Sequence, residues 1–344
     1  MHAILLKDVL TTRGFHVTAT RPALTCIVPT YNRAQYVRRC LVALRECGLP
    51  DLEVIVTDDG SSDDTAAVVA ETEPRAKYLW QPNSGTPSTA RNAAFALSTG
   101  RYVGFLDCDD AWLAGAAAEA VRLLDRYPEV DVLFADARIG NPDEGYVSWI
   151  ESAGQDAFFR LPHREPEPGF RVLDRRALFR RMAVRNPLFI GACVMRREAF
   201  EQSGGFDPGL RGAADWDLWL RMASQFTFGF LHAPLAIYTR HLENMSSDHD
   251  HMIGEFCQTL ANTLRNCQLL PEDQRWIRER LRHHLFSHAY LAYDRGDTTE
   301  AAKRFRRAVG AGDGRPMTLA LAAACLLPPW AVRGLRRLKQ GAFA

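Results

Sequence analysis

From residue 24 onward, short apolar runs alternate with amphipathic segments. The run 24–28 is apolar and ends at Pro29, which predicts a buried strand. Residues 34–47 place Val37, Cys40, Leu41 and Leu44 at helical spacing, and Gly48 and Pro50 stop that helix. The run 52–57 predicts a second strand, and Ser62 or Asp63 is placed to cap a helix reaching about residue 71. A strand over 76–80, a helix over 89–97, a strand over 102–106, a helix over 114–127 and a strand over 130–134 continue the alternation. Strands separated by helices of this length imply βαβ units and a mostly parallel sheet flanked by helices, an α/β class.

The second half reads differently. Residues 137–187 carry Pro142, Pro162, Pro166 and Pro168 with several glycines and aromatics, and predict a long irregular region or lid. A strand over 188–195, a helix over 197–203 ended by Gly204 and Gly205, a helix over 215–224, and strands near 227–231 and 235–238 follow. Beyond about 248 the pattern is helical only, and 289–308 reads as one tetratricopeptide-type hairpin. A single copy is a packing unit, not an array. The expected division is an extension over 1–23, an α/β domain over 24–247 and an all-α region over 248–344.

Charge changes this picture. The net charge is only +1, yet 275–340 holds 14 Lys and Arg against 5 Asp and Glu. The rest of the chain is therefore acidic, and the excess of base lies in the helical tail. With no base-reading or stacking element in that tail, a nucleic-acid partner is not expected. No pair of the eight cysteines has CxxC spacing, so small buried hydrophobes in a reducing cytoplasm are expected rather than a zinc site. Residues 1–17 hold a short apolar run without a clear cleavage site, so no secretory signal is expected. The uncharged stretch nearest the C-terminus, 316–332, is interrupted by Pro328 and Pro329 and falls short of the roughly 20 residues that span a bilayer. Arg333, Arg336, Arg337 and Lys339 follow it at once. An apolar segment with basic flanks suits an anionic membrane surface, contacted through 316–340, by a peripheral cytoplasmic protein. A helix docked on the rest of the chain is the alternative. His283, His284 and the Arg304–Arg307 stretch read as a solvated helix face.

In open α/β sheets, ligands bind beyond the carboxyl ends of the strands. The residues there are Pro29 to Arg33, Asp58 to Ser62 and Asp107 to Asp110. Such residues also serve turns and caps, but three polar clusters at successive strand ends point to one shared rim. Asp107, Asp109 and Asp110 are the sharpest signal. Carboxylates crowded at a strand end repel one another unless a cation neutralises them, and hard oxygen donors suit Mg²⁺ or Mn²⁺ with phosphate oxygens completing the shell. Asp110 could instead cap the next helix.

Five segments in order, CIVPTYNR, VIVTDDGSSDDT, NSGTPSTARNAAF, GRYVGFLDCDDAW and GGFDPGLRGAADWDLWLRMA, resemble family 2 glycosyltransferases of the GT-A fold over roughly 24–245. The resemblance implies a Rossmann-like sheet and a nucleotide-diphosphate sugar donor, usually a UDP-sugar. It places Pro29 and Tyr31 at the nucleotide base, with Tyr31 free to stack on it, and Asp59 as acceptor of a hydrogen bond from the base. The lesser alternative for Asp59 is a turn aspartate before Gly60. Arg33 and Arg91 would contact the diphosphate or hold the loop, Arg91 alternatively pairing with the aspartates. Asp107 and Asp109 match the family's DxD metal or diphosphate ligands.

Asp215 corresponds to the general base that deprotonates the acceptor hydroxyl in an inverting displacement. Ala214 stands where the family commonly has Glu. Asp217 is the competing carboxylate, read as a helix N-terminal acid. His241 lies in the segment that closes over the donor. Trp112, Trp216 and Trp219 are expected in the core or an acceptor wall, and Trp149, Phe158 and Phe159 could line an acceptor site. The implied acceptor is a glycan or lipid-linked glycan in cell-surface polysaccharide synthesis. A lipid phosphate or protein acceptor is the close rival, and a silent nucleotide-sugar-binding scaffold the distant one.

Overall fold

The computed structural model describes residues 21–141, 145–152, 158–240 and 249–327. The first half alternates as the pattern predicts: β1 (Leu24–Thr30), α1 (Ala34–Glu46), β2 (Leu52–Asp58), α2 (Thr65–Thr72), β3 (Lys77–Trp80), α3 (Pro87–Leu97) and β4 (Tyr102–Phe105). A two-residue β5 (Ala111–Trp112), α4 (Ala116–Arg126) and a long β6 (Val132–Asn141) follow. Every residue of β1 is buried, which is why its sequence is a continuous apolar run and not an alternating one. Helix α1 buries Val37, Cys40, Leu41 and Leu44, the stripe seen in the sequence. Helix α3 starts two residues early because Thr86 accepts from Ser88 N and Pro87 occupies the first turn, where its missing N–H costs nothing.

The region 137–187 is more regular than expected. It contains the end of β6, then β7 (Gly145–Ser148), α5 (Trp149–Ser152), β8 (His163–Glu167), β9 (Phe170–Leu173) and α6 (Arg175–Met182). Strand β8, HREPE, lies at the sheet edge, where proline and charge are tolerated, so no apolar period marks it. The remainder is β10 (Cys193–Arg196), α7 (Arg197–Ser203), α8 (Ala214–Ala223), β11 (Phe228–Thr239), α9 (His249–Asn266), α10 (Pro271–Arg295), α11 (Thr298–Gly310) and α12 (Pro316–Ala324). The two strands expected near 227–238 are one: β11 continues through register shifts at Pro234.

The eleven strands among the described residues belong to one sheet, ordered β3-β2-β1-β4-β10-β6-β11-β9-β8, with β5 on β11 and β7 on β6. It is parallel from β3 to β4. Strand β10 then runs antiparallel between β4 and β6. The order reverses at β1, with β2 on one side and β4 on the other, which opens a crevice beyond their carboxyl ends. Trp112 lies over Gly104, where a Cβ would come within 2.9 Å of its ring, and donates to Gly191 O at 2.8 Å. Trp112, Trp216 and Trp219 are all buried, as a core role requires.

Leu260 of α9 and Ile277 of α10 belong to the same apolar core as the sheet, so the helical region packs on it directly. The solvated face expected over His283, His284 and Arg304–Arg307 is present only in part: His283, Arg306 and Arg307 are exposed, while His284 and Arg304 turn to partners. His284 packs edge-on against Trp216 and Phe256, and burial pushes its imidazole down to about 4. Arg304 pairs with Asp250 at 2.6 Å and Glu300 at 2.9 Å. The hairpin of α10 and α11 turns at Gly296, whose φ of 87° favours glycine. All eight cysteines are free thiols.

Candidate active site

Loops from β1 and β2 lock together at the rim. Asn32, at φ 51°, accepts from Ser62 N at 2.8 Å and donates its own N–H to Ser61 Oγ at 2.8 Å. Asp63 accepts from Ala34 N at 3.1 Å, which satisfies one free donor at the start of α1. Asp63 also accepts from Thr65, so it steadies the starts of two helices. These bonds leave Tyr31 47% exposed at the mouth of the crevice, open to a stacking partner. Pro29 is buried. Ile27 O accepts from Leu106 N, so Pro29, two residues on, faces the same side, past the last β4 pair, where a strand can lose an N–H.

Asp59 is heavily engaged. It accepts from Gln81 Nε2 at 2.6 Å, Ser84 N at 3.0 Å and Ser84 Oγ at 3.0 Å, and so holds the β3–α3 loop. Neighbouring Asp58 accepts from Ser61 N at 2.7 Å and from Tyr78. Both carboxylates are buried. Gly60 makes the turn between them and Ser61 at φ 88°, and a Cβ there would come within 2.8 Å of Asn83 N.

The acids after β4 are neutralised by arginines, not left to repel. Buried Arg91 pairs with Asp107 and lies over the Phe206 ring, and Arg33 pairs with Asp109 at 3.3 Å. Asp110 does not cap the next helix, which starts at Ala116 after a left-handed Gly115. It is buried instead and accepts from Thr239 N at 2.9 Å, fixing the end of β11. Burial, then Asp107 and Asp109, push its carboxyl well up. Among the described residues no group of three or more His, Cys, Asp or Glu side chains forms a metal cage. Asp107 and Asp109 remain two hard donors at one rim, with the Asp107 side chain 38% exposed, which fits a cation that takes few protein ligands. His241 lies outside the described residues.

Asp215 sits in the first turn of α8, part-buried. It accepts from Asn186 Nδ2 at 3.2 Å and from Trp216 N at 2.7 Å. Burial raises its carboxyl to about 6; the Trp216 bond and Arg91 lower it and Asp107 raises it, so the three charged groups share one field. Asp217 faces away. It is buried against Arg221 at 2.8 Å and Asn262 at 3.3 Å, a structural pair inside the fold. A group that must be ionised to accept a proton and titrates near 6 is half protonated there. If Asp215 acts as a base, kcat/KM should hold above that value and fall about tenfold per unit well below it, measured between pH 4.5 and 8.

Phe158 is buried in the core, against Phe134 and Phe230, so it lines no acceptor site. Trp149 packs on Phe189 and Tyr238 and donates to Pro187 O at 3.1 Å, one residue from Asn186. Sequence patterning missed Asn186, Gln81 and Ser84, whose partners lie 29, 22 and 25 residues away.

A crevice at the strand-order reversal, rimmed by paired acids and arginines, defines a GT-A-type α/β protein. The chain belongs to glycosyl transferase family 2, whose model matches residues 25–203. It is 25% identical over 218 residues to a chondroitin synthase of Pasteurella multocida, covering 61% of this chain and 20% of the relative. The chain thus spans about a fifth of that relative's length. Two solved structures share its fold. S. aureus TarS 1-349 in complex with UDP-GlcNAc has a TM-score of 0.59 at 19% identity, over 90% of this chain and 87% of that one. The mannosyltransferase PcManGT of Pyrobaculum calidifontis, in complex with GDP-Man and Mn²⁺, has a TM-score of 0.56 at 22% identity, over 92% and 84%.

Proposed function

We propose that this chain transfers a sugar from a nucleotide-diphosphate donor, of the UDP-sugar class, to a hydroxyl of a glycan or lipid-linked glycan, inverting the anomeric centre. The observation that carries this is Asp215, a part-buried carboxylate with a raised proton affinity, in the field of the Arg91–Asp107 pair. In the reaction Asp215 takes the acceptor proton as the acceptor oxygen bonds to the anomeric carbon. The bond to the nucleoside diphosphate breaks with its electrons on the departing phosphate oxygen.

Tyr31 stacks on the base. Asp59 shapes the loop through Gln81 and Ser84, and as a carboxylate with three donors it keeps acceptor capacity for the base. Arg33 lies at the diphosphate side of the rim. Asp107 and Asp109 would hold a divalent cation, which stabilises charge on a leaving diphosphate. Polysaccharide assembly is supported by the family and by the chondroitin synthase relative. A panel of UDP- and GDP-sugars with Mg²⁺ or Mn²⁺, read by free-nucleotide release with and without oligosaccharide acceptors, tests the reading. Release stimulated by an acceptor is expected, and binding without release on the whole panel would make the chain a scaffold.

The tail supports a peripheral site of action. No described helix is long and apolar enough to cross a membrane. Helix α12 packs Leu321, Ala322 and Cys325 on the α10–α11 hairpin and leaves Met317, Leu319, Leu326 and Leu327 exposed. The basic residues that follow lie outside the described residues. Deleting 316–344 is expected to abolish co-sedimentation with phosphatidylglycerol vesicles; sedimentation equal to the full chain would leave α12 as a docked helix only.

A further inference from the structure

We infer that Glu255, on α9, is a positioning residue for the general base, a role that rests on Asp215 being that base. Helix α8 begins without a side chain of its own at the cap, since Ala213 occupies that place. The donors just before it, Arg211 N, Gly212 N and Ala213 N, all point to the one buried carboxylate of Glu255, each at 2.7 Å. Successive N–H groups converging in this way form a nest for an anion, and the positive end of α8 adds to its field. The anion here is built into the chain, 42 residues beyond Ala213.

A second contact lies on the other side of Asp215. Asn262, two turns further along α9, donates to Asp217 at 3.3 Å and to Asp207 at 3.0 Å. The base at 215 is thus bracketed by anchors at 213 and 217, both supplied by one helix. Gly212 allows the close approach, because a Cβ there would strike Met252 of α9. His251, one turn before Glu255, meets its carboxylate at 3.0 Å and helps to orient it. Hydrogen bonds between a carboxylate and N–H donors are among the stronger kinds, so three of them fix the entry to α8 far better than solvent would.

A general base that drifts by about 1 Å loses on the order of 10²-fold in rate while the remote donor contacts stay as they were. Glu255→Gln puts an amide where a carboxylate oxygen accepts, and sets N–H against N–H. We expect kcat to fall about tenfold or more for whichever UDP- or GDP-sugar the full chain turns over, with KM for that donor within about twofold. Hydrogen exchange at 211–217 should quicken without a matching change in the sheet. For Glu255→Ala, sodium formate should restore part of the lost kcat by filling the nest.

Unchanged kcat in both variants overturns the inference. So does a loss that follows the folded fraction, with exchange faster throughout and no response to formate. Asp215→Asn is run beside them. Full turnover in that variant, or no turnover of any donor by the unaltered chain, refutes the base reading itself and with it the positioning role of Glu255. Loss in Asp215→Asn with none in Glu255→Gln refutes the positioning role alone.

Discussion

Asp215→Asn is expected to lower transfer by about 10²- to 10⁴-fold, while UDP or GDP binding by calorimetry stays close to that of the unaltered chain. The size follows from what is removed. An amide cannot take the acceptor proton, so the attacking oxygen would carry its proton into the transition state. The selectivity follows from where Asp215 sits. Its bonds are to Asn186 and Trp216, and Tyr31, Arg33 and Asp59 come from other loops at the ends of β1 and β2.

Folding should barely notice the change. Burial disfavours the charged carboxylate, so an uncharged Asn relieves a penalty at pH 8. Against that, its NH₂ group must face a donor where two oxygens now accept. The two effects oppose, and the melting temperature should stay near that of the unaltered chain. Full activity in the variant would end the assignment, and a collapse in melting temperature would mark Asp215 as structural. The acid limb near 6 must vanish with the carboxylate; if it persists in the residual rate of the variant, some other group produces it.

What the sequence disclosed and what it hid divide by distance along the chain. Asp107 and Asp109 follow a buried strand, and Asp215 lies in the first turn of a helix rich in aromatic and aliphatic residues, so local pattern marks all three. Arg91 sits on the buried face of α3, where an arginine calls for a partner. Asn186 and Glu255 have no such mark. Asn186 lies in a proline-bearing stretch with no period, and Glu255 reads as an ordinary acid on a helix exposed along one side. Their importance lies in whom they meet, 29 and 42 residues away. The same reason hid the role of Asp110, whose partner Thr239 lies 129 residues away. Strand β8 was hidden differently: its partner β9 is the next strand in the chain, but an edge strand that carries proline and charge shows no apolar period.

Chelation of divalent ions is expected to abolish turnover, and Mg²⁺ or Mn²⁺ to restore it. The charges at the rim lead there. Crowded acids alone would call for a cation, but Arg91 already balances Asp107 and Arg33 balances Asp109. Asp110 is buried and held by Thr239 N. Asp107 and Asp109 are each paired with one arginine, which leaves that part of the rim close to neutral. A neutral rim gives a diphosphate no net attraction, and a leaving group that gathers charge as its bond breaks needs more than that. Arg91 is not available for the task, because it is buried and tied to Asp107. A divalent ion would supply the missing charge, with Asp107 the more exposed of its two donors. Asp109→Asn should then raise the Mn²⁺ concentration needed for half-maximal rate, with the maximal rate approached at high Mn²⁺. Turnover that survives exhaustive chelation would instead assign the whole burden to Arg33 and the helix ends. In that case Arg33→Ala, and not the loss of metal, would be the change that stops the enzyme.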